Sequence, residues 1–388
     1  MKTELFNLWH VGVSKVVQVS PVVTNTIKFS ETDRELPKHV KNGFMRYRDF
    51  EPLTQGGEAL LRTCFDENLG RTVVMKTLLP QLQNLEIYRK RFLREARVTA
   101  QIPHPVTVPV YEISRDAEGN AYFTMKKLGG RDLCDILDHV AEKDQETIEK
   151  FPVDQLLNVL IHVGQCLAFA HNMGVVHRDI KPANIMVGDY GEVTLLDWGL
   201  AKVWDMQQND DLETLVLNGQ QHVPGRLTGR GDVQGTPFYM SPEQARETGA
   251  VDARTDIYNM GILLFEILTN RSFMSGRNFK EIKRKILEDP VRAPADIMPR
   301  RSIPADLNAI CLKALQKDPA DRYQQMDDLV NDIRNHLLGK PVSVYRQAPL
   351  VRWLSTHNRS AVDQSSVFWM VVGAILCVVF QLTWWAWN

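Results

Sequence analysis

From Tyr47 onward, apolar and polar positions alternate in short runs separated by Gly, Asn and Asp, a period of two that predicts strands. Phe50 to Leu61 runs past Gly56-Gly57, and Arg71-Thr72-Val73-Val74-Met75-Lys76 alternates and ends on a lysine. Val106 to Ser114 and Ala121 to Lys127 form a further pair of strands joined by a turn at Asp116 to Asn120. Between these pairs, Tyr88 to Ala100 sets Phe92, Leu93 and Ala96 on one helical face, and Ile102-Pro103-His104-Pro105 stops it. Past Gly129-Gly130 the period lengthens to that of helices. Asp132 to Val140 is followed by a charged, solvated connection at Ala141 to Lys150. Pro152 to Asn172 then carries Leu156, Leu157, Leu160, Ile161, Val163, Leu167 and Ala168, enough to predict a buried helix. A hairpin of Ile185 to Val187 and Val193 to Leu196 turns at Asp189-Tyr190-Gly191. Helices are then expected at Thr255 to Leu268, Phe279 to Leu287, Ala305 to Leu315 and Met326 to Leu338. Strands first and helices afterwards is an α+β order, in a chain long enough for two domains or one large bilobal one.

The two ends read differently. In residues 1–45, Val16 to Phe29 is rich in Val, Thr and Ile but weakly periodic, and this extension takes no assigned role. Met1 to Val23 is broken by Asn7, His10, Lys15 and Gln18, so it lacks the apolar core of a secretory signal. Val367 to Trp387 carries no charge and is interrupted only by Gln381 and Thr383, which predicts a transmembrane helix across roughly 30 Å of hydrocarbon. Trp384, Trp385 and Trp387 suit the far interface. Lys340, Arg346, Arg352 and Arg359 lie on the near side, which places everything before Val367 in the cytoplasm and makes the chain single-pass at the cell membrane. A buried C-terminal helix of a soluble protein is the competing reading. Residues 339–366, with Pro341, Pro349, Ser355, Ser365 and Ser366, form a juxtamembrane linker.

Composition narrows the class. With 44% hydrophobic and 24% charged residues among 388, the chain has an ordinary globular core and surface. A net charge of −1 offers no general attraction for nucleic acid. Five cysteines, at 64, 134, 166, 311 and 377, form no CxxC pair, which argues against a disulfide or zinc framework and for thiols in a reducing compartment.

The chemistry concentrates in His177-Arg178-Asp179-Ile180-Lys181-Pro182-Ala183-Asn184, an acid, an amine and a carboxamide between a helical run and a strand. Transfer of a terminal phosphoryl group needs a carboxylate for the incoming hydroxyl, a cation near the transferring oxygens and an oxygen ligand for magnesium. Asp197-Trp198-Gly199 follows with a second carboxylate. His-Arg-Asp alone reads equally well as a loop closed by an ion pair, but several motifs in one order do not. Together they resemble the protein kinase family, whose pattern is H-R-D-x-x-x-x-N followed by D-F-G.

The resemblance covers about residues 47–338 and implies a bilobal kinase fold: a kinase domain over 46–338, its small β-rich lobe to about Leu128, its larger helical lobe over 129–338, ATP and Mg2+ between them. It implies that Asp179 and Lys181 act at the reacting hydroxyl and that Asn184 and Asp197 hold the metal. Lys76 would reach the α- and β-phosphates, oriented by Glu95. The glycine-rich loop aligns Thr54, Gly56, Ala59 and Leu61 with the family's G-x-G-x-x-G-x-V, keeping only the middle glycine with Gly57 beside it; on its residues alone, Gly56-Gly57 is a hairpin turn. Met125 would gate the adenine pocket, and the backbone of Lys126 to Leu128 would bond the base. Trp198 stands where the family has Phe.

Asp197 to Glu243 resembles an activation segment ending in Gly235-Thr236-Pro237-Phe238-Tyr239-Met240-Ser241-Pro242-Glu243, with Ser for Ala in the A-P-E anchor. The resemblance implies that Arg178 binds a phosphate placed on Thr214 or Thr228, and that Thr236 lies in the substrate groove near Asp179 and Lys181. Asp256 would brace the catalytic loop from beneath, or serve as a helix N-cap, or both. Arg322 of Lys317-Asp318-Pro319-Ala320-Asp321-Arg322 would pair with Glu243. The expected activity is that of a eukaryote-like bacterial Ser/Thr protein kinase acting on protein hydroxyls, membrane-anchored and autophosphorylating in the long segment, with a homodimer as the route by which one copy modifies another. The alternative is a pseudokinase, a tethered nucleotide-binding or scaffold module, which the eroded glycine loop favours. A small-molecule phosphotransferase is disfavoured by the long segment and its Ser-Pro-Glu anchor.

Overall fold

The computed structural model describes residues 40–203, 236–246 and 251–345. The extension over 1–39, Thr214 and Thr228, the side chain of Thr236, and the charge-free run Val367 to Trp387 lie outside the described residues.

Five antiparallel strands build the first lobe: β1 (Tyr47–Gln55), β2 (Ala59–Asp66), β3 (Arg71–Leu78), β4 (Val110–Arg115) and β5 (Ala121–Lys126), in the order β1-β2-β3-β5-β4. Strand alternation divides β3 between two faces. Val73 and Met75 pack outward with Cys64, Tyr47 and Tyr122. Lys76 and Leu78 share the opposite face, and Leu78 packs there with Phe92 and Ala96 of helix α1 (Glu86–Gln101) and Phe123 of β5. Lys76, two residues inside the end of β3, therefore faces the helix that carries Glu95. The folded unit starts earlier than position 46: Phe44, in a 3-10 turn over Gly43–Arg46, stacks on Phe50 at 5.5 Å and meets Tyr122 edge-on at 5.6 Å.

Two expected boundaries move. The strand expected from Val106 begins at Val110, because Val106 and Thr107 turn toward the second lobe: Val106 O accepts from Leu195 N at 2.7 Å and Thr107 bridges to Leu195. The connection Ala141 to Lys150 contains helix α3 (Gln145–Lys150), capped by Asp144, whose carboxylate accepts from Thr147 N at 3.0 Å.

The second lobe is helical, with α2 (Leu133–Ala141), α4 (Val153–Asn172), α5 (Pro242–Arg246), α6 (Ala253–Thr269), α7 (Phe279–Glu288), α8 (Pro294–Ile297), α9 (Ala305–Ala314) and α10 (Met326–Leu337). Helix α4 is the only described helix long and apolar enough to cross a membrane, and it lies in the core of this lobe, packed against α6 and α10. Glycine permits two of the closest approaches. A Cβ at Gly164 of α4 would stand 2.4 Å from Val330 of α10, and one at Gly261 of α6 would stand 2.9 Å from Ala314 of α9.

Short strands sit where the lobes meet. β6 (Arg131–Asp132), β8 (Ile185–Val187) and β9 (Val193–Leu195) form one sheet, and β7 (Val175–Val176) pairs with β10 (Lys202–Val203). The β8–β9 hairpin is the expected one; β6 and the β7–β10 pair have too few residues to show a period in the sequence. After α10 the chain stays folded through a turn at Ser343–Tyr345. Asp332, buried, accepts there from Ser343 N at 2.6 Å, from its hydroxyl at 2.7 Å and from the Tyr323 hydroxyl at 2.8 Å.

Candidate active site

Four elements bring the polar residues together. Lys76 on β3 donates to Glu95 Oε1 on α1 at 2.5 Å. The loop after β7 carries Asp179, whose Oδ2 accepts from Lys181 Nζ at 2.6 Å and from Asn184 Nδ2 at 3.3 Å. Asn184 Nδ2 also donates to Asp179 O at 2.9 Å, and Asn184 O accepts from Leu196 N at 2.8 Å, which ties the loop to the residue before Asp197. The other carboxylate oxygen, Asp179 Oδ1, is buried and has no hydrogen-bond partner. A buried acceptor left unpaired is costly, and in a cleft it offers a place where a ligand can donate.

Two of the six non-glycine residues with positive φ among the described residues lie at the same place. Arg178 (φ 74°) and Asp197 (φ 62°) are non-glycine residues in the left-handed region, a conformation that costs on the order of 1–3 kcal/mol. Asp256 holds the first of them. Buried in the first turn of α6, it accepts from His177 N at 2.9 Å, Arg178 N at 2.8 Å and His171 Nε2 at 2.8 Å. Asp256 does not cap its helix; Asp252 does, accepting from Arg254 N at 2.9 Å. Gln244 Nε2 donates to Arg178 O at 2.9 Å and secures the loop from α5. Asp197 Oδ1 accepts from Gly199 N at 3.2 Å, and Trp198 lies fully buried with its ring 4.5 Å from that of His177. Trp198, standing where the family has Phe, is thus a buried aromatic wedge, although its indole N–H finds no partner.

The charges form one field. Burial works against the charge of Asp197, but the Lys76 and Lys181 ammoniums and Arg91 outweigh it and hold the carboxyl at about 2. Burial also opposes the Lys76 ammonium, yet Glu95 and Asp197 keep it above the ordinary lysine value. Lys181 is raised likewise, against burial, by Asp179 and Asp197. Glu95 is pushed up to about 7 by burial and by the nearby Asp197 charge, against the pull of Lys76. Burial lowers His177 and keeps the imidazole neutral. Lys76, Glu95 and Lys181 therefore all feel the charge of Asp197.

The donor set fits magnesium. Asn184 uses its Nδ2 on Asp179, leaving its Oδ1 with the ionised Asp197 as hard oxygen donors. Magnesium prefers such oxygen donors and takes much of its remaining coordination from phosphates and water.

Elsewhere the aligned positions differ in fit. Gly56 to Glu58 make the turn between β1 and β2, with Gly56 N donating to Ala59 O at 2.9 Å. Neither Gly56 nor Gly57 has a positive φ, and a Cβ on Gly57 would meet nothing within 4 Å, so the turn does not itself require either glycine. Thr54 is exposed and pairs with Leu61, which is also opposite Lys76; Ala59 is buried. Met125 packs with Phe92 and Phe123 behind the cleft. Lys126 N donates to Pro109 O at 3.0 Å, so of Lys126 to Leu128 this amide is already engaged within the fold. Glu243 and Arg322 form a buried, two-pronged pair at 2.8 and 2.7 Å.

Residues 47–336 match the family described as protein kinase domain. The chain belongs to the protein kinase family. Its curated relatives include the serine/threonine-protein kinases PknD of Protochlamydia amoebophila, 34% identical over 301 residues, of Chlamydia felis, 34% over 303, and of Chlamydia muridarum, 34% over 302. Each match covers 76% of this chain but only 30%, 31% and 32% of the relative, so the chain spans about a third of the length of these proteins. The kinase family's sheet-rich lobe and helical lobe are both present.

Two residues around the site and one buried acid lay beyond the sequence reading. Gln244 follows the expected anchor directly, and a polar residue next to Glu243 was the available signal. Glu266, inside an apolar helix, accepts from the Tyr239 hydroxyl at 3.0 Å and Phe273 N at 3.2 Å and is pushed up to about 7 by burial. Arg91, in a helix crowded with arginines, carried no signal distinguishing it from its neighbours.

Proposed function

We propose that this chain is a Ser/Thr protein kinase that transfers the γ-phosphoryl group of ATP to serine and threonine hydroxyls of proteins. The observation that carries the reading is the unpaired Asp179 Oδ1, a buried carboxylate oxygen fixed by Lys181 and Asn184 through its other oxygen. A substrate hydroxyl donating to Oδ1 has its oxygen aimed by that hydrogen bond. As the oxygen bonds to phosphorus, the bond to the bridging oxygen of ADP breaks, and Asp179 accepts the proton. Lys181 offsets charge at the transferring oxygens. Lys76, held by Glu95, takes the α- and β-phosphates. Magnesium on Asn184 and Asp197 would neutralise phosphate charge. The remaining acceleration comes from positioning and preset charge.

Lys181 and Thr236 beside the Ser-Pro-Glu anchor favour Ser and Thr acceptors. Arg178 is proposed to receive a phosphate on Thr214 or Thr228 delivered by a second copy of the chain. Met125, the Lys126 carbonyl and Leu128 would line the adenine site, with Thr54, Gly56, Gly57, Ala59 and Leu61 over the phosphates. Val367 to Trp387 is proposed as a transmembrane helix joined through residues 346–366 to a cytoplasmic kinase domain; membrane fractionation with and without residues 367–388 tests it, and equal solubility of both forms refutes the anchor.

The test of the activity is incubation of the full chain with labelled ATP and magnesium, followed by mapping of modified residues. Label on Ser and Thr that disappears in Asp179→Asn supports the reading. The pseudokinase reading rests on Thr54 and Ala59 at two glycine positions, and magnesium-dependent ATP binding with no label in any protein would favour it.

A further inference from the structure

The turn between β1 and β2 is tied to helix α1 by a pair that the catalytic motifs do not contain. Glu58, in that turn, accepts from Arg91 Nη1 at 2.9 Å through Oε1, with side chains 29% and 14% exposed. Its backbone is fixed as well, since Glu58 O accepts from Leu79 N at 3.0 Å just past the end of β3. Arg91 lies four residues ahead of Glu95, on the same helical face. Glu95 on that face accepts from Lys76 of β3 at 2.5 Å, so the face is turned toward the sheet and the cleft, and the Arg91 charge also bears on Asp197 and Lys181. Arg91 Nε is buried without a partner, and Glu58 is its ion-pair partner among the described residues. Glu58 in turn acts on Lys76 and Glu95. A carboxylate thus occupies the border of the space where phosphates would lie.

We propose that Arg91 is a phosphate-binding residue held in reserve by Glu58: an entering triphosphate displaces the Glu58 carboxylate and takes over the guanidinium. The inference rests on the reading of the cleft as an ATP site. Carboxylate and phosphate are rival acceptors for the same planar fork, and a triphosphate brings more charge than a single carboxylate. The exchange also answers the eroded loop. Where Thr54 and Ala59 replace glycines, close approach of backbone amides is restricted, and a long side chain from α1 reaches phosphate without it. Because Arg91 and Glu95 share one face of α1, phosphate engagement by Arg91 also steadies the helix that orients Lys76.

A competing account makes Glu58–Arg91 a strut that merely fixes the turn. The two accounts differ in sign. Binding of MgATP, MgADP and adenosine to the full chain is measured by calorimetry for wild type, Arg91→Met, Arg91→Lys, Glu58→Gln and the double variant Glu58→Gln/Arg91→Met. Exchange predicts that Arg91→Met weakens MgATP roughly tenfold or more, the usual effect of losing a charge-assisted hydrogen bond, while adenosine is unchanged. Arg91→Lys restores part of the loss. Glu58→Gln tightens MgATP by removing the rival acceptor, and adds nothing once Arg91 is gone. If Glu58→Gln and Arg91→Met weaken MgATP alike, or if adenosine falls with ATP, the strut account holds and the exchange is wrong. Wild type that binds MgATP beside an unaffected Arg91→Met also overturns the exchange alone. Wild type that binds no MgATP overturns the ATP-site reading and the exchange with it.

Discussion

Replacing Arg322 with methionine is expected to destabilise the fold by several kcal/mol while leaving every catalytic side chain in place. Arg322 uses all five of its N–H donors. Nη1 and Nη2 reach the Glu243 oxygens at 2.8 and 2.7 Å, and the rest go to backbone carbonyls: Arg254 O at 2.8 Å, Gln316 O at 2.8 Å and Lys317 O at 3.2 Å. Methionine keeps the length of the stem and removes all five. Glu243 is then left buried with only the Thr255 hydroxyl, at 2.7 Å, and three carbonyls lose a donor. Breaking a buried pair from one side costs about 3–5 kcal/mol. In a folded unit of this size each kcal/mol lowers Tm by roughly 2 °C, so a drop of roughly 6–10 °C is expected. Thermal unfolding followed by circular dichroism on the full chain reads it. Arg322→Lys should fall nearly as far, because a point charge with three donors cannot reproduce a two-pronged fork. Removing both charges in Glu243→Gln/Arg322→Met should recover a large part of the loss, since no buried charge is then left alone. A single variant within about 1 kcal/mol of wild type, or a double variant as costly as both singles added, would refute the reasoning.

Lys76→Met should abolish phosphate incorporation in a protein that still folds, and comparable label in the variant and wild type would contradict the role given to Lys76. Asp256→Ala removes the acceptor shared by His177 N, Arg178 N and His171, so kcat should fall at least tenfold, as expected when a strained loop is freed, with ATP affinity little changed; an unaltered kcat speaks against the brace. Glu266 sits at about 7 in the fold against an ordinary value of 4.5, so the folded state binds its proton more tightly. Its contribution is fully present below about pH 4.5 and is lost as pH rises through 7, a difference on the order of 3 kcal/mol. Glu266→Gln should therefore gain stability over wild type at pH 8 but not at pH 5; urea titrations giving the same difference at both pH values would exclude this.

Much of the site could be read in the chain because its motifs are local. Asp179, Lys181 and Asn184 lie within one loop, and Lys76 belongs to a strand whose period of two already selects its face. Asp256 shows the limit. An acid before an apolar helix reads as a cap, and only packing reveals that Asp252 caps while Asp256 reaches the catalytic loop. The Glu58–Arg91 pair was invisible for a different reason: α1 offers Arg89, Arg91, Arg94 and Arg97, and choosing the one that meets a turn requires knowing how helix and sheet are set together. Strands of two residues, such as β6 and β10, are imposed by neighbours rather than by their own alternation.

Asp332 fixes where the chain can be shortened. Its carboxylate is enclosed by the Tyr323 hydroxyl and by two donors from Ser343, beyond the last helix. A fragment cut at Leu338, the boundary that the helix pattern suggests, would strip both Ser343 donors from a buried acid and uncover the pocket of Val342. The tail through Tyr345 is thus a plug for the helical lobe, and a soluble fragment that omits it begins with a defect of its own making.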